Sequence, residues 1–227
     1  PIHIKLDSGM HRLGFMSSEL DELKAFLAGC RQVRVVSLYS HLAASEDPEQ
    51  DEFTLGQIEL FERNAESVCS VLPYRPMLHV LNSAGIERFP QYQHDMVRLG
   101  IGIYGISAFP GKKLQPVASF KVKILQIKHL LPSDGTIGYG RYGKVGPQGA
   151  TIATIPAGYA DGIDRHLGRG AASFSVNGHR APTIGNICMD MCMLDVTGID
   201  CKVGDTVVIF GNDPEIGELA DILGTIP

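Results

Sequence analysis

One change of pattern limits what this chain can fold into. Up to about residue 115, strand-like and helix-like runs alternate. After a Gly- and Pro-rich stretch at residues 110–116, strands dominate. In the first part, residues 2–6, 33–38 and 77–81 read as strands, and residues 97–105 as a further strand or strand end. Between them, Ser17-Ser18-Glu19-Leu20-Asp21-Glu22 opens a helix: a serine can cap it and the acids suit the positive end of its dipole. Leu20, Leu23, Phe26 and Leu27 recur at helical spacing, and Gly29 can end the run. A longer helix spans residues 51–72, with Phe53, Ile58, Phe61, Ala65 and Val68 near one stripe. Such alternation implies parallel βα units, but too few for a complete eight-stranded barrel of ~250 residues. In the second part, residues 119–131, 150–156, 173–176, 179–184, 189–196 and 206–210 read as strands. Asn177-Gly178 marks a two-residue hairpin, and residues 215–223 form a terminal helix. The fold class is therefore α/β plus β, with a βα domain over 1–115 and a β domain over 116–227. The chain opens directly on a strand and stops in mid-pattern, so it reads as part of a longer one.

Composition narrows the function. A net charge of −5 argues against a nucleic-acid partner. No apolar run is long enough to span a bilayer, and no signal-peptide pattern is present. Five cysteines, an odd number, suit free thiols in a reducing cytoplasm. Cys188 and Cys192 lack a second pair at zinc spacing, so no metal site is expected.

Four places carry residues with chemical potential, besides one exposed tyrosine. Lys5-Leu6-Asp7-Ser8-Gly9-Met10-His11-Arg12-Leu13-Gly14 puts an arginine in a glycine-loosened loop after a strand, where βα folds bind ligands; the alternative is a surface loop with a solvated arginine. Ser40-His41-Leu42 puts a histidine at the next strand end, as a site partner or a satisfied loop residue. Asn82-Ser83 with Leu99-Gly100-Ile101-Gly102 offers a hydroxyl and glycine-exposed amides that can cradle a phosphate, or ordinary turns. There is no Walker lysine motif, so a nucleotide site is disfavoured. In the β part, Pro156-Ala157-Gly158-Tyr159-Ala160-Asp161-Gly162 and Gly185-Asn186-Ile187-Cys188-Met189-Asp190 each present one large side chain from a glycine-bounded loop. Finally, Gly138-Tyr139-Gly140 follows a Pro-Ser-Asp-Gly turn. The flanking glycines let Tyr139 stand at a tight, exposed place, as a reactive group or as a cap on a sheet edge.

Taken together, and in this order along nearly the whole chain, these motifs resemble the alanine racemase family, the fold-type III pyridoxal-phosphate enzymes. Arg98-Leu99-Gly100-Ile101-Gly102-Ile103-Tyr104-Gly105 and Cys188-Met189-Asp190 belong to the same set. The stretch from His41 to Asp47 also resembles the subgroup fused behind a peptidoglycan Mur ligase. The resemblance implies the C-terminal portion of a (β/α)8 TIM-like barrel followed by a mostly β domain. It implies interconversion of L- and D-alanine with pyridoxal phosphate, for peptidoglycan, in a cytoplasmic homodimer whose active site is shared between subunits. By motif, Tyr139 is a catalytic base supplied by the partner copy. Arg98 faces the pyridine nitrogen and His41 supports it. Ser83, Gly100 and Ile101 hold the phosphate, with Asn82 beside them. Arg12 touches the phenolic oxygen and the substrate carboxylate. Lys5 matches a lysine that some members carry carbamylated, and Tyr159 and Met189 line the substrate side.

The chemistry accounts for these residue types. Racemisation removes and returns the α-proton on opposite faces and so needs two bases. A tyrosine titrates near ~10 and acts as a base nearer neutrality where cations such as Arg98 lower it. An arginine at the ring nitrogen keeps its proton, leaving the ring nitrogen neutral and the electron sink weaker, which limits transamination. The chain also departs from the family. The lysine-alanine-aspartate-alanine-tyrosine-glycine motif that carries the cofactor is missing, and the nine lysines stand in other contexts. A late phosphate-contacting tyrosine is missing too. His11 replaces a usual glycine and Asn186 a usual arginine. The two missing motifs make activity of residues 1–227 alone doubtful, while His11 and Asn186 affect only detail; two other readings stay open, a broad-specificity racemase of the same fold and a non-catalytic dimerisation or interaction remnant.

Overall fold

A computed structural model describes residues 1–109, 111 and 114–227; Pro110, Lys112 and Lys113, within the expected linker, lie outside the described residues. The chain divides into two units, Pro1–Gln115 and Pro116–Pro227.

In the first unit, β1 (Ile2–Lys5), β2 (Val35–Tyr39) and β3 (Met77–His79) form a parallel sheet in that order. Parallel neighbours need crossovers, supplied by α1 (Leu20–Gly29) and α2 (Asp51–Cys69). Buried positions Thr54, Gln57, Ile58, Phe61, Asn64, Ala65 and Val68 follow the 3.6-residue period of α2. Of these, Ile58, Phe61, Ala65 and Val68 pack with Ile4, Leu38 and Leu78 into one apolar core. Strand alternation sends the neighbouring residues to the other face. There His3 lies beside Ser37, and Lys5 beside Tyr39 and then His79, so that face is polar. The first helix does not begin on a serine cap. A 3₁₀ turn, Ser17–Glu19, precedes it, the Glu19 carboxylate accepts from the Met16 amide at 2.7 Å, and Ser17 Oγ bonds Asn64 instead.

The second unit is an antiparallel sheet. Its strands are β4 (Phe120–Lys123), β5 (Gln126–Leu130), β8 (Ala150–Ile155), β9 (Ser173–Val176), β10 (His179–Ile184), β11 (Cys192–Asp195) and β12 (Thr206–Phe210), in the order β4-β12-β9-β10-β11-β8-β5. A small hairpin of β6 (Thr136–Ile137) and β7 (Gly143–Lys144) stands apart from it. The single strand expected over 119–131 is two strands at opposite edges of the sheet. Ile124, almost fully buried, donates its amide to Asp205 O, and Leu125 donates to Thr154 O on the other side. One bent run thus supplies both edge strands and curls the sheet. Phe174, Ile155, Leu194 and Val207 fill the interior. The hairpin between β9 and β10 turns at Asn177 and Gly178, with φ of 49° and 81°, as a type I′ turn requires. Helix α4 (Ile216–Leu223) is tied to β10 by Arg180, which bonds both Asp213 and Glu218.

Residues 97–105 form no strand. The only regular element there is a 3₁₀ turn, Ile101–Tyr104. Its would-be ladder donors are taken elsewhere: Arg98 N donates to Leu81 O, and the Gly100 and Gly102 amides both donate to Ser83 Oγ. Residues 189–196 shorten to β11 because Met191 O turns back to accept from Cys188 N.

Candidate active site

Arg98 is the centre of the polar face of the first unit. Its guanidinium donates to Ser40 O at 2.5 Å, to Val80 O and His79 O at 3.3 Å, to His79 Nδ1 at 2.5 Å and to His41 Nδ1 at 3.3 Å. It also lies over the Tyr39 ring, 5.3 Å from its centre, and Tyr39 stacks on His79. Burial lowers the Arg98 pKa, yet a guanidinium remains charged at any ordinary pH. Carbonyls and imidazoles, rather than a carboxylate, thus neutralise none of its charge. They fix its direction and leave its field available to whatever lies in front.

The histidine tautomers follow from what arginine can do. A guanidinium only donates, so His79 Nδ1 accepts and its proton sits on Nε2, which reaches Ser37 Oγ at 2.9 Å. Ser37 Oγ is 2.7 Å from His3 Nδ1. Burial, then the Arg98 charge, then His3 lower the His79 pKa to about 4. His41 is lowered too, first by burial and then by Arg98 and Arg12. Both imidazoles are neutral at pH 7. His79 was missed from the sequence, where it sits inside an apolar strand; the signal was its place three residues before Asn82.

Around Arg98 the other expected residues are distributed as follows. Asn82 Oδ1 accepts from Gly85 N at 2.9 Å and from Ser45 Oγ at 2.8 Å, capping α3 (Ser83–Arg88). Ser83 Oγ gathers the Gly100 and Gly102 amides at 2.9 and 3.1 Å, which brings Asn82, Ser83, Gly100 and Ile101 together. A Cβ at Gly102 would come 3.1 Å from Leu99 Cδ1 and 3.3 Å from Ser83 Oγ, so the glycine keeps this cradle open. Lys5 shares the field of Arg12 and Arg98. Burial lowers its pKa first, Arg12 next, while Asp7 opposes. The Arg12 side chain is exposed, on a loop pinned at its base by Asp7 N to Phe15 O and Phe15 N to Lys5 O, both 2.9 Å. Inside the loop the Asp7 carboxylate accepts from Gly9 N and His11 N, and His11 has φ 51°.

The second unit carries Tyr139, Tyr159 and Met189. Tyr139 stands between Gly138 (φ 74°) and Gly140 (φ 68°) in the connection between β6 and β7, 74% exposed. A Cβ at Gly138 would lie 2.8 Å from Met193 Cε, so glycine is required there for space as well as for φ. Asn186 Nδ2 donates to Tyr139 O at 2.9 Å. Tyr159 N donates to Cys188 O and Ala160 N to Met189 O, both at 3.0 Å, knitting the Tyr159 and Met189 loops into one exposed rim. A cavity of 710 Å³ beside Asn186 is lined also by Arg165, His166, Gly168, Arg169, Gly170 and Ala171. Among the described residues no three His, Cys, Asp or Glu side chains converge as metal ligands, and all five cysteines are free thiols. No helix among them is long and apolar enough to cross a membrane.

The fold and its motifs are those of one enzyme family. Residues 1–108 match the family model for the alanine racemase N-terminal domain, and residues 117–227 that for the alanine racemase C-terminal domain. The chain belongs to the alanine racemase family. It is similar to an alanine racemase of Shewanella denitrificans, 35% identical over 233 residues, covering 99% of this chain and 61% of that one. Two solved structures are also similar. For alanine racemase of Clostridium difficile 630 the TM-score is 0.88 at 32% identity, over 99% of this chain and 59% of that one. For that of Bartonella henselae, solved with covalently bound pyridoxal phosphate, it is 0.82 at 30% identity, over 99% and 61%. The chain thus spans about three-fifths of the length of these relatives.

Proposed function

We propose that the protein to which this chain belongs is an alanine racemase that uses pyridoxal phosphate. The observation that carries this is Arg98: a half-buried cation fixed by two neutral imidazoles and three backbone carbonyls, next to a glycine-lined hydroxyl cradle. In this reading the parallel sheet belongs to a (β/α)8 barrel and residues 116–227 to the family's β domain.

The residues present fit the cofactor. Ser83, Gly100 and Ile101, with Asn82 beside them, would hold its phosphate. Arg98, steadied by His41 and His79, would meet the pyridine nitrogen, and Arg12 would meet the phenolic oxygen and the substrate carboxylate. Pyridoxal phosphate, when bound, supplies a conjugated ring system that accepts the electron pair of the broken Cα–H bond. Arg98 keeps its own proton and presents an N–H to the ring nitrogen. Tyr139 takes or returns the α-proton on one face, and a second base serves the other. Tyr159 and Met189 bound the space for the substrate side chain. Lys5, whose pKa burial and then Arg12 lower, would be the lysine that some family members carry carbamylated.

Tyr139 would be supplied by a second copy in a head-to-tail homodimer, so that each site draws on two subunits. Five free thiols suit a cytoplasmic setting. The test is the full-length protein loaded with pyridoxal phosphate. Conversion of L-alanine to an equimolar mixture, followed by circular dichroism, supports the reading; no interconversion of alanine overturns it.

A further inference from the structure

Within the second unit, one pair of side chains reaches the Tyr139 turn from a neighbouring loop. Arg169 Nε donates to Asn186 Oδ1 at 2.7 Å, and Asn186 Nδ2 donates to Tyr139 O at 2.9 Å. The orientation of the Asn186 amide is forced. An arginine can only donate and a carbonyl can only accept, so the oxygen must face Arg169 and the nitrogen must face Tyr139. Two further contacts hold Arg169. Its amide donates to Gly185 O at 2.8 Å, and its guanidinium lies 3.4 Å from the centre of the Tyr142 ring, on the same hairpin as Tyr139.

We infer that Arg169 and Asn186 act as a matched pair of positioning residues that fixes the Tyr139 turn. This rests on the reading of Tyr139 as a base. Both glycines beside Tyr139 have positive φ and a wide conformational range. The tyrosine backbone therefore gets little rigidity from its own neighbours and must be held from outside. Asparagine is the residue type that serves both sides at once. An aspartate at 186 would accept from Arg169 but could not donate to Tyr139 O. An arginine at 186, the family's usual residue, would have no acceptor for Arg169. Arg169 contributes both the bond that orients the amide and a cation–π contact to Tyr142.

The test uses the full-length holoenzyme with Asn186→Asp, Arg169→Met and the double variant; both side chains lie at the surface rather than in the core. Exchange of the alanine α-proton with deuterium is followed separately from each enantiomer. Exchange on the face served by Tyr139 is expected to slow about tenfold or more in Asn186→Asp, with KM for alanine changed less than about twofold. The double variant is expected to be no slower than Asn186→Asp, because the two residues share one path. Independently of turnover, amide hydrogen exchange in the cofactor-free protein is expected to accelerate over residues 136–144 in either single variant. Equal slowing of both faces, additive losses in the double variant, or unchanged amide exchange over 136–144 would each overturn the pairing. Tyr139→Phe run alongside separates the two levels. If it blocks one face while the Asn186 and Arg169 variants do not, only the pairing falls. If it affects neither face, the reading of Tyr139 as a base falls and the pairing with it.

Discussion

The neutral His79 imidazole makes a sharp demand on how stability depends on pH. It is 4% exposed, its Nδ1 accepts from Arg98, and its pKa falls from the ordinary 6.5 to about 4, through burial first and the guanidinium second. The sign follows from proton counting. Between pH 6.5 and 4 the unfolded chain binds a proton here that the folded chain does not, so stability is complete above 6.5 and is lost as pH falls towards 4. The whole effect is about 3 kcal/mol, of which about 2 kcal/mol is lost between pH 7 and pH 5. Urea unfolding followed by circular dichroism at pH 7, 6 and 5, for the wild type and His79→Gln, isolates it. His41 and the carboxylates titrate in both proteins, so they cancel in the difference. The stability advantage of the wild type is expected to shrink by about 2 kcal/mol from pH 7 to pH 5. A difference constant across that range, or an imidazole resonance of His79 titrating near 6.5, would show that Nδ1 is not held as an acceptor by Arg98.

Three other outcomes are expected. Tyr139→Phe in the full-length protein stops α-proton exchange from one alanine enantiomer; loss from both alike, or from neither, contradicts a single-face base. Arg98→Glu raises pyruvate formed per racemisation event, because a carboxylate favours a protonated ring nitrogen; an unchanged ratio counts against a place for Arg98 at that nitrogen. In Gly158→Ala the added methyl would sit 2.2 Å from Cys188 O and 2.4 Å from Met189 O, both backbone atoms that cannot swing away. Forcing the Tyr159 and Met189 loops apart is expected to cost at least about 2 kcal/mol in urea unfolding, and a midpoint equal to wild type would refute the clash.

How far the fold could be read from the sequence depended on whether a local pattern had one structural meaning. The three parallel strands, two crossover helices and the Asn177-Gly178 hairpin were readable because period, length and turn chemistry agree. The split of 119–131 was not. Alternation runs on through Ile124, whose side chain stays inside while the backbone changes partner from β12 to β8. Alternation records which way side chains point, and a bent strand that keeps them pointing inward leaves no trace in it. Residues 97–105 failed for the opposite reason. Val97, Leu99, Ile101 and Ile103 alternate as a strand does, but a single hydroxyl, Ser83 Oγ, takes two of the amides a ladder would need. No property of those nine residues announces a competitor fourteen positions upstream.

The candidate site shows the same division more sharply. His41, Asn82 and Ser83 could be picked out because they follow strands, where a βα fold leads its backbone out of the sheet, whereas Arg98 was marked only by the motif it shares with the family. His79 could not, because it falls inside the run expected as a strand over 77–81 and its sequence neighbours are apolar. What gives it a role is lateral: parallel pairing sets it beside Tyr39, and Tyr39 beside Lys5, so three polar residues far apart in sequence form one row. Arg98 then closes over that row, stacking on Tyr39 and donating to His79. The order of causes therefore runs from register to charge. The pairing of β2 with β3 places the imidazole, the imidazole and the carbonyls of residues 40, 79 and 80 aim the guanidinium, and burial, then the guanidinium, keeps both histidines neutral. A one-residue slip of β3 would turn His79 into the apolar core and leave Arg98 with carbonyls alone, still charged but no longer aimed.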